Sequence, residues 1–209
     1  TDVNESPTDI TLSSLTIEEN SAGGTVVGDL FAIDPDSGDT HNFSIVGGTG
    51  SSLFEINANN ELVVQSGAVI DYETLNNPTA WLLTLTIRTT DSGGLTFDNT
   101  FTLSITDINE APTDIALDSL SVAENSAGSH VANISGTDPD GDTLTYSIIG
   151  GADAALFEIS ATGNMLHLAS GLSADYETKT QLAVQLQATD PDGLSFSNSF
   201  TIDVIDTND

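Results

Sequence analysis

The phrase "DINEAPTDI" from Asp107 to Ile115 nearly repeats "VNESPTDI" from Val3 to Ile10, about a hundred residues earlier. The echo extends along the whole chain. Asn4 and Asn109, like Glu19 and Glu124, stand 105 positions apart, Asp34 and Asp138 stand 104 apart, and Phe54 and Phe157 stand 103 apart. Asp71-Tyr72-Glu73 is answered by Asp175-Tyr176-Glu177, and after a deletion in the second copy Asp91 is answered by Asp190 and Asp107 by Asp206. A unit of about a hundred residues is an ordinary domain size. The chain must therefore fold as two copies of one architecture. The expected division is residues 1–107, which carry the remnant of a preceding linker, and residues 108–209, which end in the next one.

Each copy alternates apolar and polar residues with period two. Trp81, Leu83, Leu85 and Ile87 alternate with Leu82, Thr84, Thr86 and Arg88, and Phe101, Leu103 and Ile105 with Thr102, Ser104 and Thr106. Leu182, Val184 and Leu186, then Phe200, Ile202 and Val204, repeat the pattern in the second copy. Such alternation makes strands with one buried face. Turn phrases such as "DPDSGD", "VGGTGSS", "DPDGD" and "ATGN" separate the runs, and no segment carries a helical period. The expected fold is all-β: two tandem Greek-key β-sandwiches of seven strands each.

Charge narrows the partners. Thirty-two Asp and Glu face only Arg88 and Lys179, a formal charge of -30, which argues against nucleic acid and against an anionic membrane surface. Cations are the natural partners. The 38% of apolar residues supplies a core that a disordered acidic tail would lack. Without cysteine, neither disulfides nor thiolate metal sites are available. No apolar run is long enough to span a bilayer. The chain reads as an excerpt from a longer extracellular array.

The positions shared between copies are mostly acidic rather than apolar. They fall in five phrases: "EEN" or "AEN", "DPD", "DYE", "TD" after the long strand, and D-x-N. Any one phrase alone is better explained by the turn-forming habit of Asp and Asn. Five together are harder to dismiss. Carboxylates within about 4 Å repel by about 4 kcal/mol per pair at an effective dielectric near 20, so a folded cluster needs a cation. Oxygen ligands without Cys or a His cluster suit Ca²⁺. An EF-hand is excluded at "DPDGD", because Gly141 falls at the fourth loop position instead of the sixth and Ile149 stands where that loop needs Glu.

The order E-N, D-x-D, D-x-E, A/T-x-D, D-x-N-x-x-P resembles the extracellular cadherin repeat, and "DINEAPT" resembles bacterial cadherin-like repeats. The likeness covers both copies end to end. In that family calcium lies between successive repeats, held by one repeat, the linker and the next repeat. The resemblance implies Glu19, Asp71 and Glu73 as ligands from the first repeat, Asp107, Asn109 and Glu110 from the linker, and Asp138, Asp140 and Asp190 from the second. Asn4 with Asp34, Asp36 and Asp91 would form the lower part of a further site. Glu124, Asp175, Glu177 and Asp209 would form an upper part, and Asp206 and Asn208 would await a following repeat. Asp142, in the same turn as Asp140, receives no ligand role and is expected to cap or to face solvent. Animal cadherins have D-x-N-D-N-x-P, whereas this linker is one residue shorter, with Glu110 for Asp and Ala111 for Asn.

Other chemistries fit less well. His41, His130 and His167 sit at unrelated places in the two copies, which reads as ordinary surface or half-buried imidazoles. No Ser-His-Asp spacing appears, and paired acids in repeated turns do not make the apolar cleft of a glycosidase. An enzyme is not expected. Polysaccharide binding is the alternative function, but Trp81, Tyr72 and Tyr176 read as packing residues. No Trp near Thr1 supports strand swapping, and Lys179 reads as solvated, since Leu75 holds its register in the first copy. The expected function is that of calcium-rigidified repeats of a bacterial cell-surface or secreted adhesin, binding other adhesin molecules or acting as a stiff extender.

Overall fold

Alternating sequence becomes antiparallel pairing along most of the chain. The computed structural model describes residues 3–74 and 82–207, so Trp81, Leu75, Asn208 and Asp209 lie outside the described residues. The chain divides into two units, Thr1–Ile108 and Asn109–Asp209.

Unit 1 contains β1 (Asp9–Leu12), β2 (Thr16–Glu18), β3 (Val26–Ile33), β4 (Asn42–Gly47), β5 (Phe54–Ile56), β6 (Glu61–Val64), β7 (Leu82–Thr90) and β8 (Thr96–Thr106). They form two four-stranded sheets, ordered β1-β3-β6-β5 and β2-β8-β7-β4. The seven expected strands become eight segments because the first strand changes sheets. β1 pairs antiparallel with β3, and three residues later β2 pairs parallel with β8. Bonds from Ser13 N to the Asp29 carbonyl (3.0 Å) and from Ser104 N to the Leu15 carbonyl (2.8 Å) fix the crossing.

Unit 2 repeats the plan with β9 (Asp114–Leu117), β10 (Ser121–Ala123), β11 (His130–Thr137), β12 (Thr145–Gly150), β13 (Phe157–Ile159), β14 (Met165–Leu168), β15 (Gln181–Thr189) and β16 (Ser195–Ile205). Its sheets run β9-β11-β14-β13 and β10-β16-β15-β12. A 3₁₀ turn, Ala154–Leu156, precedes β13.

Each sandwich closes on its own core. Leu83, Leu85 and Ile87 of β7 and Leu103 and Ile105 of β8 meet Ile10, Phe54, Leu62 and Val64 of the facing sheet. In unit 2, Leu182, Val184, Leu186, Ile202 and Val204 meet Ile115, Ile134, Phe157, Leu166 and Leu168. Each such side chain contributes about 1.5–3 kcal/mol when fully buried. The cores are local to each unit, which leaves the turns at the sandwich ends free to carry acids.

Two expectations need correction. Tyr72 packs against its core, but Tyr176 is 36% exposed and borders an open groove with Thr180, Gln181, Asp203 and Ile205. Lys179 is not simply solvated. Its ammonium donates to both oxygens of Asp153 at 2.6 and 2.7 Å, and the same carboxylate accepts from the backbone N–H of Ala183, which holds it in place for the lysine.

Candidate metal centre

At one end of each sandwich a glutamate is buried by the geometry of the "EN" turn. The Glu19 N–H donates to the Thr106 carbonyl at 3.0 Å and the Asn20 N–H to the Ile70 carbonyl at 2.8 Å. Asn20 turns the chain with φ of 57°, a left-handed conformation that asparagine tolerates better than most residues. Glu19 is thereby 2% exposed. Its Oε2 accepts from the Tyr72 N–H at 2.8 Å and its Oε1 from the Ile108 N–H at 2.7 Å. Glu124, 1% exposed, does the same with Tyr176 N–H at 2.8 Å and Thr207 N–H at 2.9 Å, after Asn125 at φ 59°. In both units this carboxylate clasps the "DYE" turn to the segment leaving the last strand. The clasp satisfies a buried charge, and each oxygen keeps a second lone pair for another partner.

The "DYE" acids divide their work. Asp71 Oδ1 accepts from the Thr74 N–H at 2.8 Å, and Asp175 Oδ1 from the Thr178 N–H at 2.9 Å. The turn-capping reading therefore holds for one oxygen of Asp71 and for both of Asp175. The hydroxyl of Thr178, donating to Asp175, is the main cause that holds that carboxyl below its ordinary pKa. Carboxylate oxygens of Glu124, Asp175 and Glu177 lie within 4.8 Å of one another. In unit 1 an oxygen of Glu73 comes within 4.8 Å of one of Glu19 and of one of Asp107. Asp206 is exposed, and Asn208 and Asp209 lie outside the described residues.

The opposite end of each unit gathers the D-x-N and D-x-D residues. Asn4 donates to Asp91 Oδ2 at 3.0 Å, the Glu5 N–H to Asp36 Oδ2 at 2.6 Å and the Asp36 N–H to Asp34 Oδ1 at 2.8 Å. In unit 2, Asn109 donates to Asp190 Oδ2 at 2.9 Å, the Glu110 N–H to Asp140 Oδ2 at 2.8 Å and the Asp140 N–H to Asp138 Oδ1 at 3.1 Å. Burial is the largest influence on Asp91 and Asp190 and acts to raise them. The opposing bonds, from Leu95 N–H and Asn4 to Asp91 and from Asn109 and Leu194 N–H to Asp190, together hold both carboxyls below the ordinary value. The ends are not identical: His41 Nε2 lies 2.9 Å from Asp34 Oδ2, whereas Leu144 holds that place in unit 2 and packs on the core.

Sequence reasoning missed the third acid of these turns. Asp39 brings an oxygen within 4.8 Å of Asp34 and Asp91. Its counterpart Asp142 does not simply face solvent. Burial first, then repulsion from Asp138, Asp140, Asp190 and Asp192, pushes its carboxyl above the ordinary pKa. The signal was present in the third Asp of "DPDSGD" and "DPDGD".

Among the described residues, Asp39 Oδ2, Asp138 Oδ2 and Asp140 Oδ1 are buried and have no hydrogen-bond partner. An unsatisfied buried carboxylate oxygen is costly, and the chain's arginine and lysine are engaged elsewhere. Arg88 is paired with Asp98 at 2.7 Å and Lys179 with Asp153, and these are the chain's two basic side chains apart from histidine. A cation bound from solvent would satisfy these oxygens. Oxygen-only donors in short flexible turns fit a hard divalent cation such as Ca²⁺.

No family model matches the chain. It is 30% identical to human cadherin-related family member 2 over 92% of its own length. It is 28% identical to rat protocadherin Fat 2 over 80%. It spans only 16% and 4% of those two proteins. Among solved structures, EC1-2 of human protocadherin-24 superimposes with a TM-score of 0.69 at 23% identity, covering 95% of this chain and 99% of that one. The protocadherin GammaB4 extracellular domain gives 0.62 at 26% identity, covering 100% of this chain and 34% of that one.

Proposed function

Because the chain has the fold of tandem cadherin repeats, we propose that it is a calcium-binding segment of a cell-surface or secreted adhesion protein. Calcium at the linker stiffens the joint between its repeats. The ligands for that joint are Glu19, Asp71 and Glu73, then Asp107, Asn109 and Glu110 of the linker, then Asp138, Asp140 and Asp190. Asn4, Asp34, Asp36 and Asp91, with Asp39, serve the joint to a preceding repeat. Glu124, Asp175, Glu177, Asp206, Asn208 and Asp209 serve the joint to a following one.

The observation that carries this reading is the set of buried, unpartnered oxygens on Asp138 and Asp140, in a chain whose Arg and Lys are both engaged elsewhere. Chain continuity supplies the second support. The linker residue Ile108 is tied to Glu19 within unit 1, and Asn109 and Glu110 are tied to Asp190 and Asp140 within unit 2. The linker is thus anchored in an acidic set on each side. The relatives named above are animal proteins, and a bacterial source rests on the "DINEAPT" phrase alone.

Ions that bind only the folded chain stabilise it by RT ln(1 + [L]/Kd), about 2.7 kcal/mol at a hundredfold excess over Kd. Millimolar calcium should therefore raise the melting temperature, and chelator should reverse the rise. A melting temperature indifferent to both would refute calcium binding. A calcium-dependent polysaccharide-binding role keeps one supporting observation, the exposed Tyr176 beside its groove. Saturable binding to a glycan array in calcium, lost in Tyr176→Ala, would favour it.

A further inference from the structure

We infer that unit 2 carries a site for a borderline first-row divalent ion such as Zn²⁺, formed by His130, His167 and Glu158 on the open face of the β9-β11-β14-β13 sheet. The site is separate from the acidic turns and does not depend on the calcium reading.

The sequence separates these three residues, but strand register puts them in one row. His130 on β11 is directly opposite His167 on β14, and His167 is directly opposite Glu158 on β13. Directly paired residues of antiparallel strands project to the same face, with neighbouring strands about 4.7–4.9 Å apart. That face is the outer one. Leu166 and Leu168, which flank His167, are buried, as is Phe157 beside Glu158. A register shift between His130 and Ala132 turns Val131 into the core while His130 stays exposed.

The two imidazoles already lie together, with ring centroids 5.2 Å apart and planes at 80°. In a tetrahedral zinc site with Zn–N bonds of about 2.0–2.1 Å, the two nitrogens lie about 3.3 Å apart. The ligand atoms of the three side chains do not all lie within 4.8 Å of one another here, so closing the site takes side-chain rotation on the paired strands. Two imidazoles with one carboxylate form a donor set suited to Zn²⁺ or Cu²⁺ and poorly suited to Ca²⁺. Asp118, bonded to Asn133, adds a negative charge near His130.

The fold does not require these histidines. At the same register unit 1 has Val26 opposite Val63 and Glu55 opposite Val63, so an aliphatic pair serves the sandwich equally well. An aromatic cross-strand contact alone would explain proximity. It would not explain two imidazoles and a carboxylate in one outward row, with His167 half-buried between exposed His130 and Glu158.

The test is zinc titration of the full chain saturated with calcium, followed by NMR of the histidine rings, with His130→Gln, His167→Gln and Glu158→Gln as variants. The ring resonances of His130 and His167 should shift together and saturate at one equivalent, while His41 stays unmoved. Either histidine variant should abolish the site, and Glu158→Gln should weaken it by at least about tenfold, since losing a direct ligand costs no less than disturbing a group that orients one. An unchanged melting temperature in each variant verifies that the unit is folded. Zinc that leaves both rings unshifted, that shifts His41 instead, or that binds any of the three variants as tightly as the wild type would overturn the inference.

Discussion

At the residue scale, the two copies allow the same role to be checked twice. Glu124 uses both oxygens to accept backbone N–H groups, so Glu124→Gln sets an amide against one of those donors. It should cost about 1–3 kcal/mol, read by urea unfolding without calcium. No loss would show that the clasp is not structural. For calcium, Asp140→Asn should weaken binding about tenfold, since affinity follows the number of charged ligands. Asp142 cannot serve as the control, because it sits in the same acidic field. Asp203, on an outward position of β16 and bonded to Gln181, removes the same charge away from the site. Equal effects of Asp140→Asn and Asp203→Asn in calorimetry would mean that net charge, not ligation, controls binding. The acids of the five phrases were legible in the sequence because they recur. The pairing of Lys179 with Asp153 was not, since Lys179 has no counterpart in the first copy. That pair has its own pH signature. Lys179, by hydrogen bonding first, lowers the Asp153 pKa, so the folded value lies below the unfolded one. The stability it adds is present above about pH 3.9 and lost as pH falls through the folded value. In calcium-free buffer Asp153→Asn should melt lower than wild type at pH 7, and the gap should close as the pH falls through the folded-state value of Asp153. A gap independent of pH would assign the effect to packing.

At the scale of elements, period-two alternation was enough to place the long strands, because β7, β8, β15 and β16 each bury one face. The division of the first strand into β1 and β2 left no trace in hydropathy, since Ser13–Leu15 change sheets through backbone bonds and the Ser13 and Ser14 hydroxyls. The row of His130, His167 and Glu158 was hidden for a related reason: register across three strands is a tertiary property. The "VGG" and "IGG" phrases after β4 and β12 have a steric cause. Gly48 and Gly151 have φ of 110° and 106°, and a Cβ there would stand 2.1 Å from the Thr84 carbonyl oxygen or 2.5 Å from that of Ala183. Gly48→Ala and Gly151→Ala should each cost more than the about 1–3 kcal/mol of backbone strain alone, seen as a lower denaturation midpoint. A midpoint within error of wild type would mean that this approach is looser than described.

At the scale of the whole molecule, the two-unit organisation and the β-sandwich class followed from the repeat and its alternation, and the cadherin likeness from the order of its acids. What the acids do together is the proposal. Each core is local to its own unit, so chelation should loosen the joint more than it unfolds either sandwich. Small-angle scattering should then show a broader distribution of dimensions in chelator than in calcium, with β-sheet circular dichroism retained. The central claim is that these acidic ends hold calcium, and calorimetric titration of calcium into the chelator-stripped chain tests it most directly. The account predicts saturable binding in the wild type that is weakened about tenfold in Asp140→Asn and retained in Asp203→Asn. An absence of saturable binding at millimolar calcium would contradict it.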